Sequence, residues 1–223
     1  EARRVAEGAS GRNGGFALRG GAMPYDRARE WLGRERAGEY WRLTEHALDG
    51  LDALAGDALR RTGSLRLAAD DDERRELRCE FEALREDGFD AAWSEDPVGG
   101  RFPAAILHPA DGAVQPARLV RRLAALAAEA GVEVVEHHRV SSLDELEAPQ
   151  VLVATDGYPS GLLGVLEGLV IPTRGQMIAT EPIVERLFER PHYGRHGFDY
   201  WHQARDGTIL AGAGADFDVL PEL

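Results

Sequence analysis

The chain contains no lysine; all 26 of its basic residues are arginine. That absence excludes a phosphate loop of the Walker-A kind, which needs a lysine on the phosphates, and any lysine Schiff base within the chain. The single cysteine, Cys79, excludes an internal disulfide, a cysteine-paired metal site and dithiol chemistry. It lies in the charged helical pattern ERRELRCEFEALRE and reads as a structural residue. No apolar run has the length of a membrane-spanning helix, and no basic segment followed by an apolar core stands at the start. Neither a span nor a signal peptide is expected, and the cytoplasm is the default compartment. Positive charge is also scarce: 39 acidic side chains against 26 basic ones give a net charge of −13. No basic cluster is interleaved with aromatics, so nucleic acid is not an expected partner. The acidic balance serves solubility first and leans toward a cationic small molecule. His108, His137, His138, His192 and His196 lack metal-ligand spacing with acids or cysteines, and no metal is expected.

With 223 residues, 43% hydrophobic and 29% charged, the chain falls among globular proteins of one large domain or two small ones. From Pro24 to Arg61 a proline start and an apolar stripe through Trp31, Leu32, Tyr40, Leu43, Ala47, Leu48, Leu51 and Leu54 predict one long helix or two. TGSLRLA, Thr62 to Ala68, alternates as a strand, and DDDERRELRCEFEALREDG is a helix opened by aspartates and closed by Gly88. The Pro- and Gly-rich block from Phe89 to Pro109 reads as a loop with short strands, a lid or a domain crossing. Pro116 starts a helix whose Leu119, Val120, Leu123, Leu126 and Ala127 share a face; Gly131 ends it. VEVVE then reads as a strand and QVLVATDGY, Gln150 to Tyr158, as a second buried one, together predicting a parallel sheet of nucleotide-binding type. In the last third, IPTRGQMIATEPI and FDYWHQARDGTILAGAGADF alternate in strand fashion with turns at Arg174 to Gly175 and Asp206 to Gly207, predicting a separate antiparallel sheet.

GASGRNGGF, Gly8 to Phe16, cannot build a core. Its glycines permit close approach of backbone to a ligand, and Ser10, Arg12 and Asn13 add hydrogen bonds and a charge. By composition it is either an anion cradle or a surface loop. No G-x-G-x-x-G occurs; GAGADF, Gly212 to Phe217, lacks the final glycine.

EARRVAEGASGRNGGF, RRTGSLRLA, DGAVQPARLVRRLAALAAEAGVEVVE, VLVATDGY and IPTRGQMIATEP occur in the order seen in FAD-dependent amine and D-amino-acid oxidoreductases. The chain resembles that family, which includes glycine oxidase, sarcosine oxidase and the gamma-glutamylputrescine oxidoreductases, over nearly its whole length. ASGRNGG is most similar to the gamma-glutamylputrescine branch. The resemblance implies an α/β fold: a Rossmann-like FAD-binding domain, incomplete here, with an inserted α+β antiparallel-sheet substrate domain. Residues 1–60 and 112–164 would belong to the FAD-binding domain, and 61–111 and 165–223 to the substrate domain.

The resemblance also implies roles. Glu1 would accept hydrogen bonds from the adenosine ribose. Ser10, Gly11 and Arg12 would follow the FAD pyrophosphate, and Asn13, Gly14 and Gly15 would approach the flavin ring. Val140 would meet the adenine with its backbone. Ala154, Thr155 and Gly157 would form the turn closing over the cofactor, with Asp156 interrupting the commoner pattern. The chemistry implied is oxidation of a carbon next to an amine, with hydride transfer to flavin N5 and hydrolysis of the imine. Arg19, which could pair with a substrate carboxylate, and Tyr200 and His202 on FDYWHQ are the catalytic candidates. The substrate would be a small amine or amino acid.

Three departures from the family pattern lead to the expectation of a truncated piece. The first strand and its glycine-rich phosphate turn are missing before Glu1. The stretch from Val140 to Val151 is too short for the family's β-meander, and the last glycine-rich segment would lie beyond Leu223. The alternative is a cofactor-free binding or structural module that offers strand edges to a partner.

Overall fold

The computed structural model describes residues 1–159, 161–172 and 175–213. In chain order the elements are α1 (Ala9–Arg12), β1 (Phe16–Ala17), α2 (Tyr25–Leu32), α3 (Arg34–Ala55), β2 (Leu59–Arg60), β3 (Ser64–Leu67), α4 (Asp71–Glu86), β4 (Ala92–Glu95), α5 (Pro97–Gly100), β5 (Ala104–His108), β6 (Gly112–Val114), α6 (Pro116–Glu129), β7 (Gln176–Ala179), β8 (His192–Gly194), β9 (Asp199–Gln203) and β10 (Ile209–Ala213). The chain divides into two compact units. One joins Glu1–Asn13 to Pro116–Gly175; the other joins Gly14–Gln115 to Gln176–Leu223.

The larger unit carries a seven-stranded sheet in the order β4-β5-β3-β8-β9-β10-β7 and a three-stranded sheet in the order β1-β6-β2. All pairings are antiparallel except β3 with β8. The apolar stripe after Pro24 forms two helices because Gly33, between α2 and α3, takes φ 84°, a conformation that a side chain resists. α4 begins on a capping box: Asp70 Oδ1 accepts the Glu73 amide at 2.9 Å, and Glu73 Oε2 accepts the Ala69 amide at 2.7 Å. Its face through Leu77, Ala83 and Leu84 buries against Tyr25, Trp41, Phe89 and Ile106. There Tyr25 meets Trp41 and Phe89 edge-on, each at 5.3 Å, the arrangement that ring quadrupoles favour.

One expectation fails in this unit. The block from Phe89 to Pro109 holds short strands as expected, β4 and β5, but it is no lid, since β5 sits between β4 and β3. Its Ala104, Ala105 and Ile106 have no exposure. Small residues and a proline-glycine turn disguised a core strand.

In the smaller unit α1 packs on α6, and α6 begins at Pro116 as the sequence predicts. Gly131, at φ 90°, donates to the Ala128 carbonyl at 3.0 Å, and Val132 donates to Ala127 at 2.9 Å, closing the helix end. VEVVE and QVLVATDGY, expected as strands, carry no ladder among the described residues. Instead Val135 accepts from the Glu1 amine at 3.0 Å, and the His137 and His138 amides donate to the Arg3 and Glu1 carbonyls at 2.8 and 3.0 Å. A strand exists only through its partners, and these segments stay irregular, with Val132 and Leu152 54% and 91% exposed. The expected turn at Arg174 to Gly175 and the end of GAGADF include residues outside the described ones. No helix among the described residues is long and apolar enough to cross a membrane.

Candidate functional site

The sequence-predicted residues fall in two groups, one in each unit. The larger unit holds Gly14, Gly15, Arg19, Tyr200 and His202; the smaller holds Glu1, Ser10, Gly11, Arg12, Asn13, Val140, Ala154, Thr155 and Gly157.

In the larger unit the end of the glycine segment, Gly14 to Phe16, runs beside β9, across a sequence separation of 188 residues. Tyr200 and His202 are two apart on the strand and share a face. His202 lies 2.9 Å from the Gly14 carbonyl through Nε2. A carbonyl only accepts, so Nε2 carries the proton. Burial, helped by the Arg60 charge, lowers the His202 pKa against the opposing pull of the Gly14 carbonyl, which keeps the ring neutral. Phe16 packs edge-on against both Tyr200 and His202 at 5.6 Å and against Tyr193 at 6.5 Å. Sequence reasoning missed Phe16, although it is the one aromatic in the glycine segment.

Tyr200 needs glycine on both sides. A Cβ on Gly14 would fall 3.0 Å from its ring, and one on Gly212 would fall 2.3 Å from Cε2 and Cζ. With Phe16 holding the ring in place, Gly212→Ala is expected to displace Tyr200 and to destabilise the unit by about 1–3 kcal/mol, the ordinary effect of overpacking. The change is read as a lowered urea midpoint and altered tyrosine near-ultraviolet dichroism. A variant with unchanged midpoint and dichroism contradicts the packing described.

Arg19 departs from its expected role. It is 7% exposed, and its guanidinium is engaged on every side. Nε donates to Asp111 Oδ1 at 3.1 Å, Nη1 to Glu45 at 2.9 Å and Nη2 to the Asp90 carbonyl at 3.0 Å. Asp111 Oδ1 also accepts the Arg19 amide at 3.1 Å, while Oδ2 accepts the Ser64 hydroxyl at 2.7 Å. Trp41 lies under the cation at 5.8 Å. The fork that suits a substrate carboxylate is filled by the protein's own Asp111. Arg19 is a structural residue tying β1's exit to β3, α3 and β6's approach.

In the smaller unit Ser10, Arg12 and Asn13 are exposed on or beside α1. The Asn13 amide donates to the Ala9 and Ser10 carbonyls at 3.2 and 2.9 Å. Gly11 is required for packing, since a Cβ there would meet the Ala6 carbonyl oxygen at 2.0 Å. Arg12 makes no ion pair among the described residues. Glu1 is exposed, its carboxylate accepting the Arg3 amide at 3.0 Å. Val140 is half-buried, Ala154 and Thr155 are exposed, and Thr155's carbonyl accepts the Tyr158 amide at 3.1 Å. An exposed hydroxyl and guanidinium suit a phosphate-bearing ligand in donor type. No group of histidine, cysteine and carboxylate side chains among the described residues could hold a metal ion.

The profile of the FAD dependent oxidoreductase family (DAO) matches residues 1–222. No match was found among curated proteins. Among solved structures, the chain is similar to glycine oxidase from Geobacillus kaustophilus, with 20% identity and a TM-score of 0.69 over 97% of this chain and 65% of that one. It is similar to glycine oxidase from Bacillus cereus, with 19% identity and a TM-score of 0.70 over 96% of this chain and 64% of that one. For L-proline dehydrogenase from P. horikoshii the identity is 19% and the TM-score 0.67, over 100% of this chain and 65% of that one. The chain thus spans just under two thirds of the length of these proteins. The fold class read from the sequence holds: a mixed α/β chain with part of an FAD-binding fold and an antiparallel α+β sheet.

Proposed function

The chain belongs to the family of FAD dependent oxidoreductases, and from that premise we propose that the protein carrying it oxidises the C–N bond of a small amine or amino acid. The family match over residues 1–222 is the observation that carries this reading. Bound FAD supplies the two-electron acceptor, and the resulting imine is hydrolysed by water. In this reading Glu1 holds the ribose hydroxyls, Val140 meets the adenine, Ser10, Gly11 and Arg12 hold the diphosphate, and Ala154, Thr155 and Gly157 close over it. Asn13, Gly14 and Gly15 line the flavin ring. Residues 1–60 and 112–164 make up the cofactor-binding part, and 61–111 and 165–223 the substrate part.

The chain's own residues then divide the remaining work. His202, neutral and donating to Gly14, fixes the orientation of the Gly14 peptide and is a positioning residue. Tyr200, packed between two glycines, offers its phenol to the substrate. Arg19 acts at one remove by holding the segment that follows Phe16. The net charge of −13 and the likeness of ASGRNGG to the gamma-glutamylputrescine branch favour a cationic amine.

The test is a titration of the purified protein with FAD, followed by quenching of flavin fluorescence and the visible spectrum. Saturable binding that weakens about tenfold in Arg12→Ala is the expected result, one phosphate-directed charge being worth about 1.4 kcal/mol. A protein that neither carries flavin nor quenches it overturns the reading.

A further inference from the structure

We propose that Arg60, Arg186 and Arg205 form a binding site for an oxyanion, a phosphate or a carboxylate group, at the closed end of the β9–β10 hairpin. All three belong to the larger unit, and the site does not depend on the flavin reading.

Its frame is the side chain of Gln203, which is 1% exposed. Gln203 Oε1 accepts the Leu187 and Phe188 amides at 2.8 and 3.3 Å, and Nε2 donates to the Glu185 and Gly207 carbonyls at 2.8 and 3.1 Å. These four bonds hold the segment bearing Arg186 against the hairpin bearing Arg205. Two guanidinium groups then converge on one oxygen: the Gln203 carbonyl accepts Arg60 Nη2 at 2.8 Å and Arg186 Nη1 at 3.1 Å. Arg186 Nη1 also reaches the Ala204 carbonyl at 2.9 Å. Most N–H donors on both forks have no partner among the described residues.

Bringing like charges together is unfavourable unless a counter-charge joins them. Here the described residues supply none in contact. Arg19, Arg29, Arg34, Arg61 and Arg66 all form ion pairs, and carboxylates outnumber arginines along the chain. Arg60, Arg186 and Arg205 form none among the described residues. Glu189 bears on Arg60 only at a distance, and Asp206, beside Arg205, caps its own turn by accepting the Thr208 amide at 3.0 Å. Half-buried Arg60 feels both neighbouring arginines in addition to its own desolvation. An oxyanion accepting from two forks relieves that repulsion and satisfies the idle donors.

Calorimetric titration with inorganic phosphate, at ionic strength held constant with sodium chloride, tests this, and a parallel titration with acetate separates the two sources. Saturable phosphate binding assigns the site to a phosphate group; acetate binding at least as tight assigns it to a carboxylate. In either case Arg205→Gln is expected to weaken binding about tenfold. This residue is exposed and makes no described bond, so folding is preserved. Arg60→Gln is expected to abolish binding while keeping one donor on the Gln203 carbonyl. Arg205→Gln is also expected to leave FAD binding unchanged, which keeps failure here distinct from failure of the cofactor reading. Absence of saturable binding by both anions, or binding indifferent to both substitutions, overturns the proposal.

Discussion

Lowering the pH from 7.5 to 5 is expected to remove about 4 kcal/mol of stability from the larger unit, with two buried histidines responsible. His108 and His192 are 3% and 5% exposed. Burial, with the Arg19 and Arg66 charges adding to it, moves the His108 pKa from its ordinary 6.5 down to about 3. Burial moves His192 from 6.5 to about 4, against a backbone hydrogen bond that pulls the other way. Both values are depressed, so below pH 6.5 the unfolded chain binds protons that the folded chain refuses. Stability is therefore full above 6.5 and falls with acidification, down to about 4 for His192 and about 3 for His108. Each group contributes about 2 kcal/mol between pH 6.5 and 5. The exposed, ion-paired carboxylates Glu86 and Glu95 are shifted down and titrate later, buried His202, also shifted down by burial, adds to the fall, and buried Glu80 and Asp111, shifted up by burial, act against it. Urea midpoints at the two pH values provide the measurement. His108→Asn and His192→Gln should each remove about 2 kcal/mol of the dependence, and a slope unchanged in the double variant contradicts the assignment.

Neither histidine announces this in the sequence, which shows where reading from sequence stops. Helices were legible because capping and periodicity are local: Pro116 opens α6, Asp70 opens α4, and Gly33 divides the stripe that follows Pro24. β3, β9 and β10 were legible as alternating runs between turn residues. β5 was legible only as a short strand within a loop and not as a core strand, because its Ala104, Ala105 and Ile106 are buried without alternation, a pattern that periodicity alone cannot assign. VEVVE had the composition of a strand, but strand formation depends on partners that composition does not contain. Within the candidate site, FDYWHQ pointed to Tyr200 and His202 through its polar-tipped aromatics. Their meeting with Gly14 and Phe16 joins residues almost the length of the chain apart, and no local signal carries such a contact. The ion pair of Arg19 was invisible for the same reason. Its partner Asp111 lies 92 positions away, and an arginine that follows a glycine segment looks free until its counter-ion is placed.

That pairing carries the other large effect. Asp111→Ala is expected to destabilise the larger unit by about 3–5 kcal/mol, because the substitution removes the fully buried one of the guanidinium's two charge partners and leaves only the part-exposed Glu45. It also strips acceptors from the Arg19 amide and the Ser64 hydroxyl. Asp111→Asn, which keeps an acceptor for the amide and removes only the charge, should fall between wild type and alanine. Arg19→Met exposes the same coupling from the other side by leaving Asp111 buried and unpaired, and its loss should be similar. The double variant Arg19→Met/Asp111→Ala should then lose less than the sum of the two singles, since residues in one network are coupled. Urea unfolding of the four variants measures each quantity. A carboxylate-binding arginine would behave differently: Arg19→Met would leave the midpoint near wild type and weaken only a carboxylate-bearing substrate. Stability that falls in Arg19→Met and is partly recovered in the double variant identifies Arg19 as part of the framework. The recognition of any substrate carboxylate then passes to other donors.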